Sequence, residues 1–198
     1  AQLLLYTTNK LPSIAPIIDL CAAPGGITAQ LAATGAHVIA VARAPQRVKR
    51  LRQNLKRLSL KADIFTTDAI EWRPPATPRA VLVDAPCSAT GTIRRHPDIA
   101  LNKSESEIKK LSEIQERLLL AAADMLSPDA CLIYSVCSLQ PEEGVEIIEK
   151  VLSQRQNLVR MPFNSAETKL PIKIVTTQGD IQTMPSQMSE SGGLDGFY

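Results

Sequence analysis

Short apolar runs rich in β-branched residues alternate along the chain with longer segments whose apolar positions recur every three or four residues. The runs predict strands at about 16–20, 37–41, 62–67, 80–85 and 131–136, with helices at about 25–34, 45–58, 105–126 and 141–153 between and after them. In the second helix Val48, Leu51, Leu55 and Leu58 share one stripe, and the basic residues take the other side. In the third, Ile108, Leu111, Ile114, Leu118, Ala122 and Met125 do the same, and Ser127-Pro128-Asp129 stops the helix. Both stripes read as core. Such alternation predicts an α/β fold, a mostly parallel sheet with helices on both faces. The ligand crevice of such a sheet lies outside the carboxyl ends of its strands, which is where candidate chemistry is to be sought. Beyond residue 155 the pattern weakens, with candidate strands at 172–176 and 180–184 and a loop over 185–196.

Composition narrows the classes. A chain of 198 residues, 44% hydrophobic and 21% charged, can bury an ordinary core and is expected to form one domain. It has no run of about 18 apolar residues and no charged-then-apolar leader, so neither a membrane span nor a secretory signal is expected, and the expected location is cytoplasmic. Its ends, Ala1-Gln2-Leu3-Leu4-Leu5 and Gly196-Phe197-Tyr198, are apolar and read as cuts through something longer. The four cysteines, at 21, 87, 131 and 137, lack C-x-x-C spacing and only two histidines accompany them, so no metal site and no disulfide framework is expected. The net charge of +2 conceals one feature: Arg43, Arg47, Lys49, Arg50, Arg52, Lys56, Arg57 and Lys61 occur with no acid among them. A solvated helix face and a phosphate-contacting patch both fit that run.

Three cysteines fall at or just beyond strand ends. Ile17-Ile18-Asp19-Leu20 runs into Cys21-Ala22-Ala23-Pro24-Gly25-Gly26, a turn whose small residues let backbone amides approach a ligand at the start of a helix. Cys87 follows the strand ending Val83-Asp84-Ala85-Pro86, and Cys137 follows Tyr134-Ser135-Val136. Those two thiols, 50 positions apart, are expected over one substrate, and a cysteine thiolate is a strong soft nucleophile when a cation such as Arg94 or Arg95 lies nearby. Asp84, if buried, could hold a proton for a ring nitrogen. Asp68 ends the third strand and suits either an adenine amino group or a helix cap. Cys131 begins its strand at the opposite end and reads as a small core residue. The aperiodic segment from Ser88 to Ser104, holding Arg94, Arg95, His96 and Asp98, has the length of a functional loop.

Four ordered motifs, Asp19-Leu20-Cys21-Ala22-Ala23-Pro24-Gly25-Gly26, Asp84-Ala85-Pro86-Cys87-Ser88-Ala89-Thr90-Gly91, Ile93-Arg94-Arg95-His96-Pro97-Asp98 and Cys137-Ser138-Leu139-Gln140-Pro141-Glu142-Glu143, resemble those of the Sun/Fmu family of RNA cytosine-5 methyltransferases, above all its bacterial ribosomal RNA members. Gly192-Gly193-Leu194-Asp195-Gly196-Phe197-Tyr198 is similar to that family's last core segment, so the resemblance covers the whole chain. It implies a Rossmann-like methyltransferase fold over residues 1–198, without the substrate-binding domain that precedes it in the family. It also implies S-adenosylmethionine as cofactor and RNA, expected to be ribosomal RNA, as partner. By the resemblance Cys137 is the nucleophile toward carbon 6 of cytosine, Cys87 assists release, and Asp84 steadies the ring. Cys21, Ala22, Ala23, Pro24, Gly25, Gly26, Ile27, Asp68 and Asp84 would hold the cofactor, and Arg94, Arg95 and His96 would face the RNA. Three positions depart from the family: Ile27 replaces a lysine, Ala42 an acidic ribose ligand and Val136 a threonine. The first two motivate a rival expectation, an RNA-binding or ribosome-assembly factor that kept the fold and lost the cofactor. A nicotinamide-dependent oxidoreductase is disfavoured, because the turn lacks G-x-G-x-x-G and Ala42 offers no ribose acceptor.

Overall fold

A computed structural model describes residues 15–163 and 174–198. Ala1–Leu5 and the first residues of the strand expected at 172–176 lie outside them. Five strands form one sheet in the order β3-β2-β1-β4-β5: β1 Ile17–Leu20, β2 Val38–Ala42, β3 Asp63–Thr66, β4 Ala80–Asp84 and β5 Cys131–Ser135. β1 pairs in parallel with both β2 and β4, and β2 with β3. Every residue of β1 and β2, and all of β4 but Asp84, is buried, as expected of parallel strands covered on both faces. At the edge, β3 is mostly exposed. The order reverses between β1 and β4, where Leu20 is in register with Val83, so the switch point of this Rossmann-like sheet lies between the strands that lead into Cys21 and Asp84.

The helices are α1 Gly26–Ala33, α2 Pro45–Arg57, α3 Ile99–Asn102, α4 Glu105–Ala123 and α5 Val145–Gln154. Pro45 starts α2 with its φ already set for a helix. Ser104 and Glu107 start α4 as a reciprocal capping pair, each side chain hydrogen-bonded to the other's backbone amide. The described residues separate into two compact units, 15–85 with 117–134, and 86–116 with 135–163 and 174–198. In the first, Val48, Leu51 and Leu55 of α2 pack with Ala23, Ala29, Ala40 and Ala42, while Leu31 of α1 packs with Ile17, Val38, Ala80 and Leu82. Cys131 packs against the latter cluster, the core role its position suggested.

Four expectations need correction. Leu58 is 43% and Ile114 39% exposed, so each stripe loses one member. Leu58 ends its helix as the C-cap, and in α4 the buried position is taken by Gln115, whose amide has polar partners described below. The helix expected over 141–153 is a single 310 turn, Pro141–Glu143, followed by α5, the break falling at Gly144, against which the ring of Tyr198 lies. The segment 88–104 contains a 310 turn at Thr90–Thr92 and the short α3, which buries no residue and so leaves no periodic signal. Of the candidate strands at 172–176 and 180–184, the described residues form only single bridges, Val175 with Ile181 and Thr183 with Phe197; the loop of 185–196 is found as expected, and beyond it Tyr198 exchanges two hydrogen bonds with Val136.

Candidate active site

In the first unit the β1–α1 loop is held open by its own geometry. Cys21 (φ 63°) and Gly25 (φ 100°) are left-handed, and a side chain at Gly25 would meet Leu51 at 3.0 Å, so only glycine suits that turn. From α2, Arg47 donates to the carbonyl of Ala23 (2.6 Å) and Asn54 to that of Pro24 (3.0 Å), which aims two loop carbonyls at α2. Gly26 at the start of α1 has open space where a side chain would stand. Beneath the loop Asp19 is fully buried, accepts the Thr28 hydroxyl at 2.5 Å, and leaves its other oxygen without a partner. Burial, opposed by the Thr28 hydrogen bond, raises its pKa to about 7. Burial and the neighbouring Asp19 push the Cys21 thiol up to about 12, which makes it a poor nucleophile at neutral pH.

These residues can be tested against S-adenosylmethionine. An open Gly26, first-turn amides without acceptors in the helix and an orphaned carboxylate oxygen suit the polar end of such a ligand. The ribose side fits less well. Ala42 is buried in the apolar cluster of α2 and has no acceptor to offer. Asp68 spends one oxygen on the amide of Ile70 (2.9 Å) in a turn that no helix follows, so the helix cap expected as its alternative role is not formed, and its other oxygen lies 3.7 Å from Arg43. Ile27 packs against the cluster of Ile17 and Leu31, and Val136 is fully buried, so two of the departures from the family pattern became core contacts. Asp84 is exposed, so the burial that its proton-donor reading required is absent.

In the second unit the two thiols meet. The sulfurs of Cys87 and Cys137 are 3.4 Å apart, both half-buried. The Cys87 thiol is pushed up, first by its hydrogen bond to Cys137 and then by burial, and either sulfur can be the donor between them. No arginine contributes. Arg94 donates to the carbonyl of Gly192 (2.6 Å) and Arg95 pairs with Asp195 (2.7 Å), so the expectation that they activate Cys87 is not met. Both arginines and His96 are exposed.

What holds the sulfurs together is a buried polar network centred on Glu143, which is 0% exposed. It accepts hydrogen bonds from the amide of Ser88 (2.9 Å), the hydroxyl of Ser88 (2.5 Å) and the amide nitrogen of Gln115 (3.1 Å). Ser88 also contacts the hydroxyl of Ser138 (3.2 Å), which contacts that of Thr90 (3.1 Å), and Gln115 donates to the carbonyl of Pro86 (2.9 Å). Ser88 and Ser138 are the residues immediately after the two cysteines. The amide of Gly91 donates to the carbonyl of Cys137, and Gly196 donates to the carbonyl of Gly91. A side chain at Gly91 would come within 1.9 Å of the Gly196 carbonyl, so both cysteine segments are tied to the C-terminal segment through a glycine contact. The repeated Cys-Ser dipeptide and Pro141-Glu142-Glu143 are the only sequence traces of this network. Among the described residues no cluster of His, Cys, Asp or Glu could hold a metal ion, and no helix is long and apolar enough to cross a membrane.

A family model described as 16S rRNA methyltransferase RsmB/F matches residues 7–198. The ribosomal RNA small subunit methyltransferase B of Cronobacter sakazakii is 45% identical over 143 residues, covering 70% of this chain and 33% of its own length. That of Pasteurella multocida is 38% identical over 195 residues, 92% of this chain and 41% of the relative. The chain thus spans between a third and a half of these relatives. NSun6 from Pyrococcus horikoshii, solved with SFG, shares the fold: TM-score 0.74 at 22% identity, over 97% of this chain and 48% of that one.

Proposed function

Since the chain belongs to the RsmB/F family of 16S rRNA methyltransferases, we propose that it is the catalytic part of an enzyme that methylates carbon 5 of a cytosine in ribosomal RNA. The observation that carries this reading is the 3.4 Å contact between Cys87 and Cys137. Carbon 5 of cytosine is a weak nucleophile, and addition of a thiolate to carbon 6 makes it electron-rich. Cys137, as a thiolate, forms that carbon–sulfur bond, and Cys87 is its partner. S-adenosylmethionine, when bound, supplies the electrophilic methyl group. Once carbon 5 carries the methyl group its proton passes to water, the electron pair left behind re-forms the ring double bond, and the bond from carbon 6 to sulfur breaks with Cys137 leaving as a thiolate. Cys87, in contact with that sulfur, is assigned to this release. Asp84 acts on the cytosine ring as a hydrogen-bonding group at an exposed strand end.

The loop from Cys21 to Ile27, with Asp68 and Asp84, would hold the cofactor. Arg94, Arg95 and His96 would face the RNA, their segment braced by Gly192 and Asp195. The target base must leave its stack to reach a half-buried sulfur. A cytoplasmic location goes with such a substrate.

The decisive experiment uses RNA carrying 5-fluorocytidine, whose fluorine cannot leave as a proton and therefore traps the covalent adduct. A denaturation-resistant protein–RNA species should form, persist in Cys87→Ala and vanish in Cys137→Ala. Its persistence in Cys137→Ala would reject the nucleophile assignment. Calorimetric titration with S-adenosylmethionine tests the cofactor separately, and the absence of binding at millimolar concentration would favour the non-catalytic factor.

A further inference from the structure

The basic run around α2 has no part in the chemistry above. Eight of the chain's 22 lysines and arginines lie between Arg43 and Lys61, which leaves 14 cations against 20 carboxylates everywhere else. A near-neutral total therefore hides a strongly positive patch on a negatively charged remainder. α2 sorts the run by face: Val48, Leu51 and Leu55 are buried, while Lys49, Arg50, Arg52, Lys56, Arg57 and the following Lys61 are exposed. Lys49 and Lys56 share one row, Arg50 and Arg57 the next, each about 10.5 Å long at 1.5 Å per residue.

Two further observations separate this face from an ordinary solvated one. Several cations elsewhere have carboxylate partners: Arg95 with Asp195, Lys150 with Glu116, and Arg160 with Glu149 and Asp180. Among the described residues the six exposed cations of this run have no carboxylate partner, and Arg52 stands one turn from both Lys49 and Lys56, a spacing at which like charges repel. In contrast, α4 alternates Glu105, Glu107, Glu113 and Glu116 with Lys109, Lys110 and Arg117. Next to the face lies an open cleft of about 650 Å³ edged by Arg52, Lys56 and Lys61 and floored by Leu55, Leu60 and Ile64. It opens beside His37 and Asp63, at the amino ends of β2 and β3, the opposite strand ends from those leading into Cys21 and Asp84.

We propose that the exposed face of α2, with Lys61, is a docking surface for the phosphate backbone of RNA, distinct from the loops that carry the chemistry. The proposal rests on RNA being the substrate. A polyanion fits better than a protein partner, because protein interfaces centre on aromatic or apolar anchors and are depleted in lysine, whereas the only large apolar side chain exposed on this helix is Leu58. Contacts to phosphate position the RNA without reading its sequence.

The test compares the chain with Lys49→Gln/Arg50→Gln/Lys56→Gln/Arg57→Gln, and with Lys109→Gln/Lys110→Gln as a control on exposed positions of α4. Binding of a fluorescein-labelled single-stranded RNA is followed by anisotropy over a series of salt concentrations, with circular dichroism to verify folding. The expected result is a salt slope lower by roughly 3 in the quadruple variant, at about 0.7 for each phosphate that is no longer neutralised, and a normal slope in the control. Equal slopes in the chain and the quadruple variant overturn the docking face, while an undiminished 5-fluorocytidine adduct then shows that the catalytic reading survives. No RNA binding together with no adduct in the unaltered chain overturns both. Competition by polyglutamate as effective as that by unlabelled RNA overturns the assignment to RNA and points to an acidic protein.

Discussion

Replacing Glu143 with alanine tests the idea that a buried carboxylate sets the spacing of the two sulfurs. Alanine removes the acceptor used by the Ser88 amide, the Ser88 hydroxyl and the Gln115 side chain. Two of these donors have another partner in place, since the Ser88 hydroxyl can turn to Ser138 at 3.2 Å and Gln115 keeps the Pro86 carbonyl at 2.9 Å. The Ser88 amide, which donates to Glu143, is left without its acceptor, and orphaning a buried donor costs about 1–3 kcal/mol. The vacated methylene group adds about 1 kcal/mol. The expected loss is therefore about 2–4 kcal/mol for Glu143→Ala in urea denaturation. Glu143→Gln should lose about 1 kcal/mol, because its amide oxygen can accept from Ser88 and Gln115 while its nitrogen donates to a rotated Ser88 hydroxyl. Stability alone would not separate positioning from bulk packing. The second readout is the rate at which a mild oxidant joins Cys87 to Cys137, which depends on keeping the sulfurs close. Alanine should slow it and glutamine should restore most of it. An alanine variant within about 0.5 kcal/mol of the parent that oxidises at the parent rate would refute the reasoning.

The remaining predictions concern the loop and the C-terminal tie. Asp19 has its pKa raised from 3.8 to about 7 by burial, so the folded state holds a proton that the unfolded chain has released. Its stability contribution is therefore fully present below about pH 4 and falls as pH rises to about 7, by roughly 4 kcal/mol. Asp19→Asn, which keeps an acceptor for Thr28, should abolish that fall, and denaturation at both ends of the window checks it: parallel pH profiles for the two proteins would contradict the prediction. Gly91→Ala drives a methyl group toward the Gly196 carbonyl and should cost about 1–3 kcal/mol. Faster hydrogen exchange at the amides of Gly196 and Tyr198 is the local signature expected of it, and unchanged exchange would show that the contact relaxes at no cost.

Periodicity along the chain was enough to place all five strands and the frame of α1, α2 and α4, because burial of parallel strands and one-sided helices writes itself into spacing of two kinds. Local chemistry was equally readable where a short motif suffices: the small-residue turn from Cys21 to Gly26 ahead of a helix, and cysteines placed beyond strand ends. Polar residues serving the core left no such trace. Gln115 displaced Ile114 from its expected buried place, and Glu143 sits fully buried, because each answers to hydrogen-bonding partners that are remote in sequence. Arg94 and Arg95 looked like activators of Cys87 through proximity along the chain, yet their charges are committed to Gly192 and Asp195.

Sequence order therefore accounts for which segments become strands or helices and which thiols stand at the ends of strands. It could not state that Cys87 and Cys137 lie 3.4 Å apart, that Asp84 is exposed, or that Cys21 is locked in its protonated form. Those properties arise from distance and from the removal of water, and both are set when segments some 50 positions apart come together. Secondary structure is a short-range property of neighbouring residues, whereas the reactivity of a thiol is a property of everything that surrounds it in space.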